Sequence, residues 1–391
     1  MLYFRTGSQL HRLITLLSVA GEYPTNSLCL LGNERVYKDL VAQLTEGQTI
    51  RNIKTNTNLT LKQIVSVSGK GKTKTVRLFR GALPILEWLG AEEYYMKTFR
   101  SHKFSGDAIH KERNHRVAES IAMFMQAGYE SRQYKLSKLQ VGERHEIEFS
   151  NPCFYISKYL KQVGKIETNK VMFTRLVGLA FAGENCYAVY NTRNAVMKWC
   201  GDGECKVKYT MLDIVRANSK INELNSAILF GTSAETAIAT LEEIERNSKK
   251  DLRLDGIYNY VHFVPLNEIG MRQLRLLALP NWKEQILDLL FEPEQRSRDC
   301  GTFEYDAFID GVYVMSHLDG DLGRLRRFKT MVKYYIENGQ GEKGKYEVLC
   351  FKDQVSYLNK YLAGLAQIRV VDRSTVETEL KLKRRDIFEE D

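Results

Sequence analysis

GQTIRNIKTNTNLTLKQIVSVSGKGKTKTVRLFRGALPIL, Gly47 to Leu86, decides how the rest of the chain is read. It holds eight basic side chains (Arg51, Lys54, Lys62, Lys70, Lys72, Lys74, Arg77 and Arg80), and no acid stands between Glu46 and Glu87. The whole chain has a formal charge of +9, so this segment nearly accounts for the excess. Apolar and polar residues alternate over Ile64–Val67 and Thr75–Phe79, on either side of a Gly- and Lys-rich turn, Ser68–Lys74. Strand, tight turn, strand is the expected structure, a β-ribbon with a basic tip. Such a ribbon brings point charges to a phosphate backbone, and each phosphate it neutralises releases a counterion. The alternative is a solvated hairpin, but solvated surfaces mix both signs of charge.

Upstream, Ser8–Ala20 carries a broad apolar face with Ser8 at the N-cap position. Pro24–Leu31 forms a short second helix stopped by Gly32, and Asn33 caps a third from Glu34 to about Leu44. Three short helices followed by a basic ribbon is the layout of a winged helix-turn-helix, whose third helix enters the major groove. The expected DNA-binding residues are Arg35, Lys38 and Gln43 on that helix, and Arg51, Lys54, Lys70, Lys72, Lys74 and Arg77 on and beside the ribbon. Arg and Lys suit guanine edges and phosphates, and Gln suits adenine.

Downstream, Gly81–Gly90 closes this domain, and a polar stretch followed by a helix over His110–Gly128 forms a connector. From about Arg132, strand and helix signals alternate, which argues an α/β (α+β) mixed sheet with flanking helices. Strands are expected at His145–Phe149, Leu176–Phe181, Cys186–Asn191, Ala227–Phe230, Tyr258–Val264, Phe303–Ile309, Val312–His317, Tyr346–Phe351 and Ile368–Val371. The expected domains are 1–98, winged helix; 99–131, connector; 132–374, α/β; and 375–391, a charged tail.

At 391 residues the chain can bury two or three cores, and 43% hydrophobic with 27% charged residues is ordinary for a globular protein. No apolar run approaches the length of about 18 residues that spans a bilayer. A cytoplasmic protein without membrane contact is expected, and seven scattered cysteines fit reduced thiols. Cys200 and Cys205 flank a Gly-rich stretch read as a hairpin turn, since no second Cys or His pair follows at zinc spacing.

One segment suggests chemistry. Asp310-Gly311 is a hairpin signal that brings Asp306 on one strand towards His317 and Asp319 at the end of its partner. Two carboxylates so placed are candidate ligands for Mg²⁺ or Mn²⁺ beside a scissile phosphate. Asp306, His317, Asp319 and Lys329 are then the candidate catalytic residues, Asp306 and Asp319 the metal ligands, and Arg324, Arg326, Arg327, Lys329 and Lys333 a face for a phosphate backbone. A hairpin with solvated polar ends is the alternative.

Tyr305-Asp306-Ala307, then His317-Leu318-Asp319, then Arg327-Phe328-Lys329 is similar to the Pro-Asp-Ala, Glu-x-Asp, Arg-x-Lys pattern of the replication-relaxation family of Gram-positive mobile elements. It is also similar to the PD-(D/E)xK nuclease core. The helix begun by Asn114-His115-Arg116 and the phrases Tyr187–Thr192, Met197–Trp199 and Ile228–Gly231 extend the resemblance over most of the chain. The family implies an N-terminal winged helix, a nuclease-like domain, and double-stranded DNA as partner with replication or transfer proteins; the sequence leaves the oligomeric state open, with a homodimer as one option. Tyr305 replaces the Pro, His317 the Glu, and Asp319 stands where a nuclease places Lys, so the resemblance implies DNA binding without catalysis and without a cofactor for binding. A metal-dependent nicking endonuclease and a transcriptional repressor are the alternatives.

Overall fold

The computed structural model describes residues 1–99, 108–131, 151–157, 160, 175–196, 202–246, 253–297 and 304–382. The chain divides into two compact units, one within Met1–Gln133 and one within Tyr134–Arg384. Both mix helix and strand, as the alternation of periods predicts, and among the described residues no helix is long and apolar enough to cross a membrane.

In the first unit, strand β1 (Leu2–Phe4) precedes helix α1 (Gln9–Ala20), which starts where the Ser8 side chain accepts the His11 amide. Leu10, Leu13, Ile14, Leu16 and Leu17 of α1 are buried, each by about 1.5–3 kcal/mol more favourable inside than in water. Strand β2 (Glu22–Pro24), a 3-10 turn (Thr25–Leu31) and helix α2 (Glu34–Leu44) follow. Asn33 caps α2 by accepting the Arg35 and Val36 amides at 3.1 and 3.3 Å.

Next come β3 (Gln48–Asn52), β4 (Thr57–Leu61), β5 (Val65–Ser68) and β6 (Thr75–Leu78). They form two three-stranded sheets, β1–β3–β4 and β2–β6–β5. The expected ribbon is β5 and β6, antiparallel with Val67 opposite Val76. The β3–β4 hairpin, β1 and β2 are additions that the sequence pattern did not announce. Helices α3 (Leu83–Trp88), α4 (Glu92–Phe99) and α5 (Ala108–Ala127) and the two-residue strand β7 (Glu130–Ser131) complete the unit.

The helix expected as a connector lies within this unit. Glu119 of α5 accepts the Ser27 hydroxyl at 2.5 Å, Gln126 donates to the Leu31 carbonyl, and Arg12 donates to Gln126 at 2.7 Å.

In the second unit, β8 (Cys153–Ile156), β9 (Leu176–Ala182), β10 (Asn185–Arg193), β11 (Ser226–Gly231) and β12 (Tyr260–Pro265) line up as β12–β11–β10–β9–β8. The β8, β9 and β10 neighbours are antiparallel, and β10, β11 and β12 are parallel. These strands read as continuous apolar runs because helices cover both faces of a parallel sheet.

A second sheet follows in the order β13 (Ala307–Ile309), β14 (Val312–Ser316), β15 (Tyr346–Cys350), β16 (Gln367–Val370). It repeats the pattern of the first: a hairpin, a helix (Leu322–Glu337), a parallel strand, a helix (Val355–Leu362) and another parallel strand. In the first sheet the helices Asp202–Asn218 and Ala234–Arg246 hold the corresponding places. Leu229, Phe263, Met315, Leu325 and Val348 belong to one apolar core that serves both sheets.

Lys206–Tyr209, expected as the second arm of a hairpin after Cys205, is helical. Val207, Met211, Leu212 and Val215 are buried at helical spacing, and that burial outweighs the turn signal of the glycines. The expected strand His145–Phe149 and the tail from residue 383 lie outside the described residues, and β8 was not foreseen.

Candidate functional site

The basic ribbon of the first unit turns at Gly69–Lys74. Gly69 has φ +85°, and a Cβ there would lie 2.4 Å from the Thr73 carbonyl oxygen, so the tight turn requires glycine. Lys70 and Lys74 stand exposed on either side of the tip; Lys72 lies between them, its side chain outside the described residues. Arg77, on β6, reaches across the ribbon and donates to the Ser66 hydroxyl at 3.1 Å. On the neighbouring hairpin Lys54 is exposed and Arg51 donates to Asn56 at 2.6 Å.

Arg35, Lys38 and Gln43 are exposed on α2, as their positions in the helical period require. Lys38 pairs with Glu34 at 2.5 Å, and Asp39 is also exposed, so the surface of α2 is of mixed charge. The positive excess of this unit therefore belongs to the strands rather than to the helix.

In the second unit Asp310 and Gly311 have φ +50° and +82°, the double positive φ of a type I′ turn, and fold β13 back onto β14. This brings Asp306 to Ser316, whose amide donates to Asp306 Oδ2 at 2.7 Å. Arg324, on the first turn of the helix Leu322–Glu337, forms a fork on the same carboxylate: Nη2 to Oδ1 at 2.6 Å and Nη1 to Oδ2 at 2.9 Å. Both residues are buried. Burial alone would lower the Arg324 pKa, but the charge and hydrogen bonds of Asp306 hold it above the ordinary arginine value.

The Leu318–Asp321 loop lies along the edge of β12. Phe263 donates its amide to the Gly320 carbonyl at 2.9 Å, and a Cβ on Gly320 (φ +70°) would come within 2.8 Å of the Phe263 carbonyl. Asp319 faces His262, Oδ2 to Nδ1 at 3.5 Å, and its carboxyl pKa is raised, first by burial and then by Asp321, against the pull of His262 and Arg324. Asp321 caps the helix, its Oδ1 accepting the amides of Val261, Gly323 and Arg324 at 2.8, 2.9 and 3.2 Å. Its Oδ2, also buried, has no hydrogen-bond partner among the described residues.

Of the four expected catalytic residues, only Asp306 and Asp319 meet, at a cavity of about 10 Å³ lined with Trp282, Lys283, Ser316 and Arg324, room for one water. His317 turns to Tyr357, Nε2 to the hydroxyl at 2.6 Å, and burial pushes its pKa down to about 3. Lys329 bonds Glu245 at 3.1 Å and lies 3.8 Å from the Tyr361 ring centre, farther along the helix that carries Arg324, and does not line the Asp306 cavity.

The expected phosphate-binding face is paired internally. Arg324 meets Asp306, Arg326 meets Asp255, Arg327 meets Glu304 at 2.6 Å, and Lys333 meets Glu337 at 3.7 Å. Those acids mostly lie far away in sequence, which is why the run of basic residues looked open. His262, Gln273 and Trp282 were missed for the same reason. Gln273 holds the site loop by donating to the Asp319 and Phe263 carbonyls at 2.7 and 2.9 Å, and Trp282 packs edge-on against His262 at 5.6 Å.

These residues do not fit a divalent ion. Both Asp306 oxygens are already engaged by a guanidinium and an amide, and among the described residues no group of three or more His, Cys, Asp or Glu has the geometry to hold a metal. The arginine fork occupies the position a cation would take on Asp306.

Comparison with family models, with curated proteins and with solved structures finds no match for this chain.

Proposed function

We propose that the protein binds double-stranded DNA through its first unit as a winged helix-turn-helix. The observation that carries this reading is the element order α1, β2, 3-10 turn, α2, the inserted β3–β4 hairpin, then the β5–β6 ribbon, with β2 pairing onto β6 to give the sheet β2–β6–β5 and the basic tip of β5–β6 exposed. A helix-turn-helix with a flanking ribbon places its third helix against the duplex and the ribbon along the backbone. The second unit is then a nuclease-like scaffold that does not cut, because the carboxylate expected to take a metal is held by Arg324. The resemblance of Tyr305–Ala307, His317–Asp319 and Arg327–Lys329 to replication-relaxation proteins supports a role in replication of a mobile element, in processing its DNA for transfer, or in control of those genes.

The test follows binding and cleavage of one supercoiled plasmid together, with and without Mn²⁺, for wild type and Asp306→Ala. The expected result is binding that weakens steeply with salt and no nicking by either protein. Metal-dependent nicking lost in Asp306→Ala would overturn the scaffold reading, and absence of any duplex binding would overturn the whole proposal.

A further inference from the structure

Between α2 and the ribbon the chain inserts the β3–β4 hairpin, which β1 extends into a separate sheet. The register sets Tyr3 opposite Arg51, Arg51 opposite Asn58, and Thr49 opposite Thr60, so these five side chains share one face, while Ile50 and Asn52 between them are buried. Tyr3 is 55% exposed, and Asn58 and Thr60 are exposed. The Thr49 and Thr60 hydroxyls lie 3.2 Å apart across the strands, close enough to hold each other in place.

The chemistry of this face is unusual for a surface meant only for water. Lys54 at the hairpin turn and Lys62 beyond β4 are exposed at its margins, and no carboxylate occurs from Gly47 to Leu86. A solvated sheet face carries both signs of charge. Here a row of hydrogen-bonding side chains has Lys54 and Lys62 exposed at its margins, in a segment of sequence without acids. A two-stranded ribbon enters a major groove about 12 Å wide, where Asn pairs with adenine, Arg with guanine, and Thr with either.

We propose that the outer face of the β1–β3–β4 sheet is a second contact surface for duplex DNA, in which Thr49, Arg51, Asn58 and Thr60 read base edges and Lys54 and Lys62 hold the flanking phosphates. The inference rests on the DNA-binding reading of the first unit and adds to it a source of sequence specificity outside α2.

The experiment selects bound duplexes from a random-sequence library with the full-length protein. It then compares the enriched duplex with a scrambled duplex of the same length for wild type, Thr49→Ala/Asn58→Ala/Thr60→Ala and Arg51→Ala, with thermal melts confirming that each variant folds. Loss of base contacts should weaken binding to the enriched duplex about tenfold or more. Binding to the scrambled duplex should stay within about twofold, because phosphate contacts carry no sequence information. Equal affinity of the variants and wild type for the enriched duplex would overturn the proposal and leave the winged-helix reading standing, as would a wild type that binds duplexes without selecting any. A wild type that binds no duplex would overturn both.

Discussion

On the helix Leu322–Glu337, five basic side chains, Arg324, Arg326, Arg327, Lys329 and Lys333, each meet a carboxylate. At the strand ends and turn of the first unit, Lys62, Lys70 and Lys74 meet none among the described residues. Both regions read alike in sequence, as runs of Lys and Arg. For four of the five the difference lies in burial, whereas Lys333 is exposed and meets Glu337 one turn along its own helix. A charge taken from water must be paired because its solvation is lost, whereas an exposed lysine keeps its hydration until a polyanion displaces counterions. A basic run therefore says little about function until it is known which acids face it.

The largest test of this contrast uses acid. His317 is buried with a pKa near 3 against 6.5 for the free side chain, so below 6.5 the unfolded chain binds a proton that the folded chain refuses. The stability this neutral histidine contributes is present above pH 6.5 and is lost as pH falls towards 3, by an amount on the order of 5 kcal/mol. The raised pKa of Asp319 works in the opposite sense, since its protonation favours the fold as pH falls. The difference between wild type and His317→Gln in urea unfolding, followed from pH 7 to pH 4, isolates the histidine. Parallel pH curves for the two proteins would show that His317 is not held neutral by the fold.

Next in size is Arg324→Ala, which strands the buried Asp306 carboxylate and should cost about 3–5 kcal/mol in urea unfolding. The double variant Asp306→Leu/Arg324→Met should recover much of that loss. A single-variant cost below about 1 kcal/mol would mean that the pair is solvated like a surface pair, and the contrast with the ribbon would disappear.

For the ribbon, Lys70→Ala/Lys72→Ala/Lys74→Ala should leave unfolding stability within about 0.5 kcal/mol. It should lower the salt slope of duplex binding, log K against log salt, by up to about 2.7 if each lysine meets one phosphate. An unchanged slope would place the DNA elsewhere. The smallest effect is expected from Asn33→Ala. It removes the cap of α2 and should cost about 1 kcal/mol, read in the same unfolding assay.

Much of the local structure was legible because its causes are local. Ser8 and Asn33 cap the helices that follow them, and Asp310-Gly311 makes the turn its dipeptide favours. Failures came where long-range burial overrode a local signal. Gly201 and Gly203 suggested a turn, yet Asp202–Asn218 became helix to bury Val207, Met211 and Val215. The β3–β4 hairpin was hidden because Asn56, at φ +55°, turns it without the glycine that marks most such turns.

By itself the sequence determined the periods, the caps, the turns and the charge imbalance of Gly47–Leu86, all set by residues within a few positions of one another. Only the tertiary structure decided that Lys329 joins Glu245, 84 residues away, that Arg324 closes on Asp306, and that the Leu318–Asp321 loop lies against β12. Pairing of buried charges is settled by what packing brings within about 4 Å, where solvation is lost and attraction is strongest, and nothing in the spacing of residues along the chain encodes that distance.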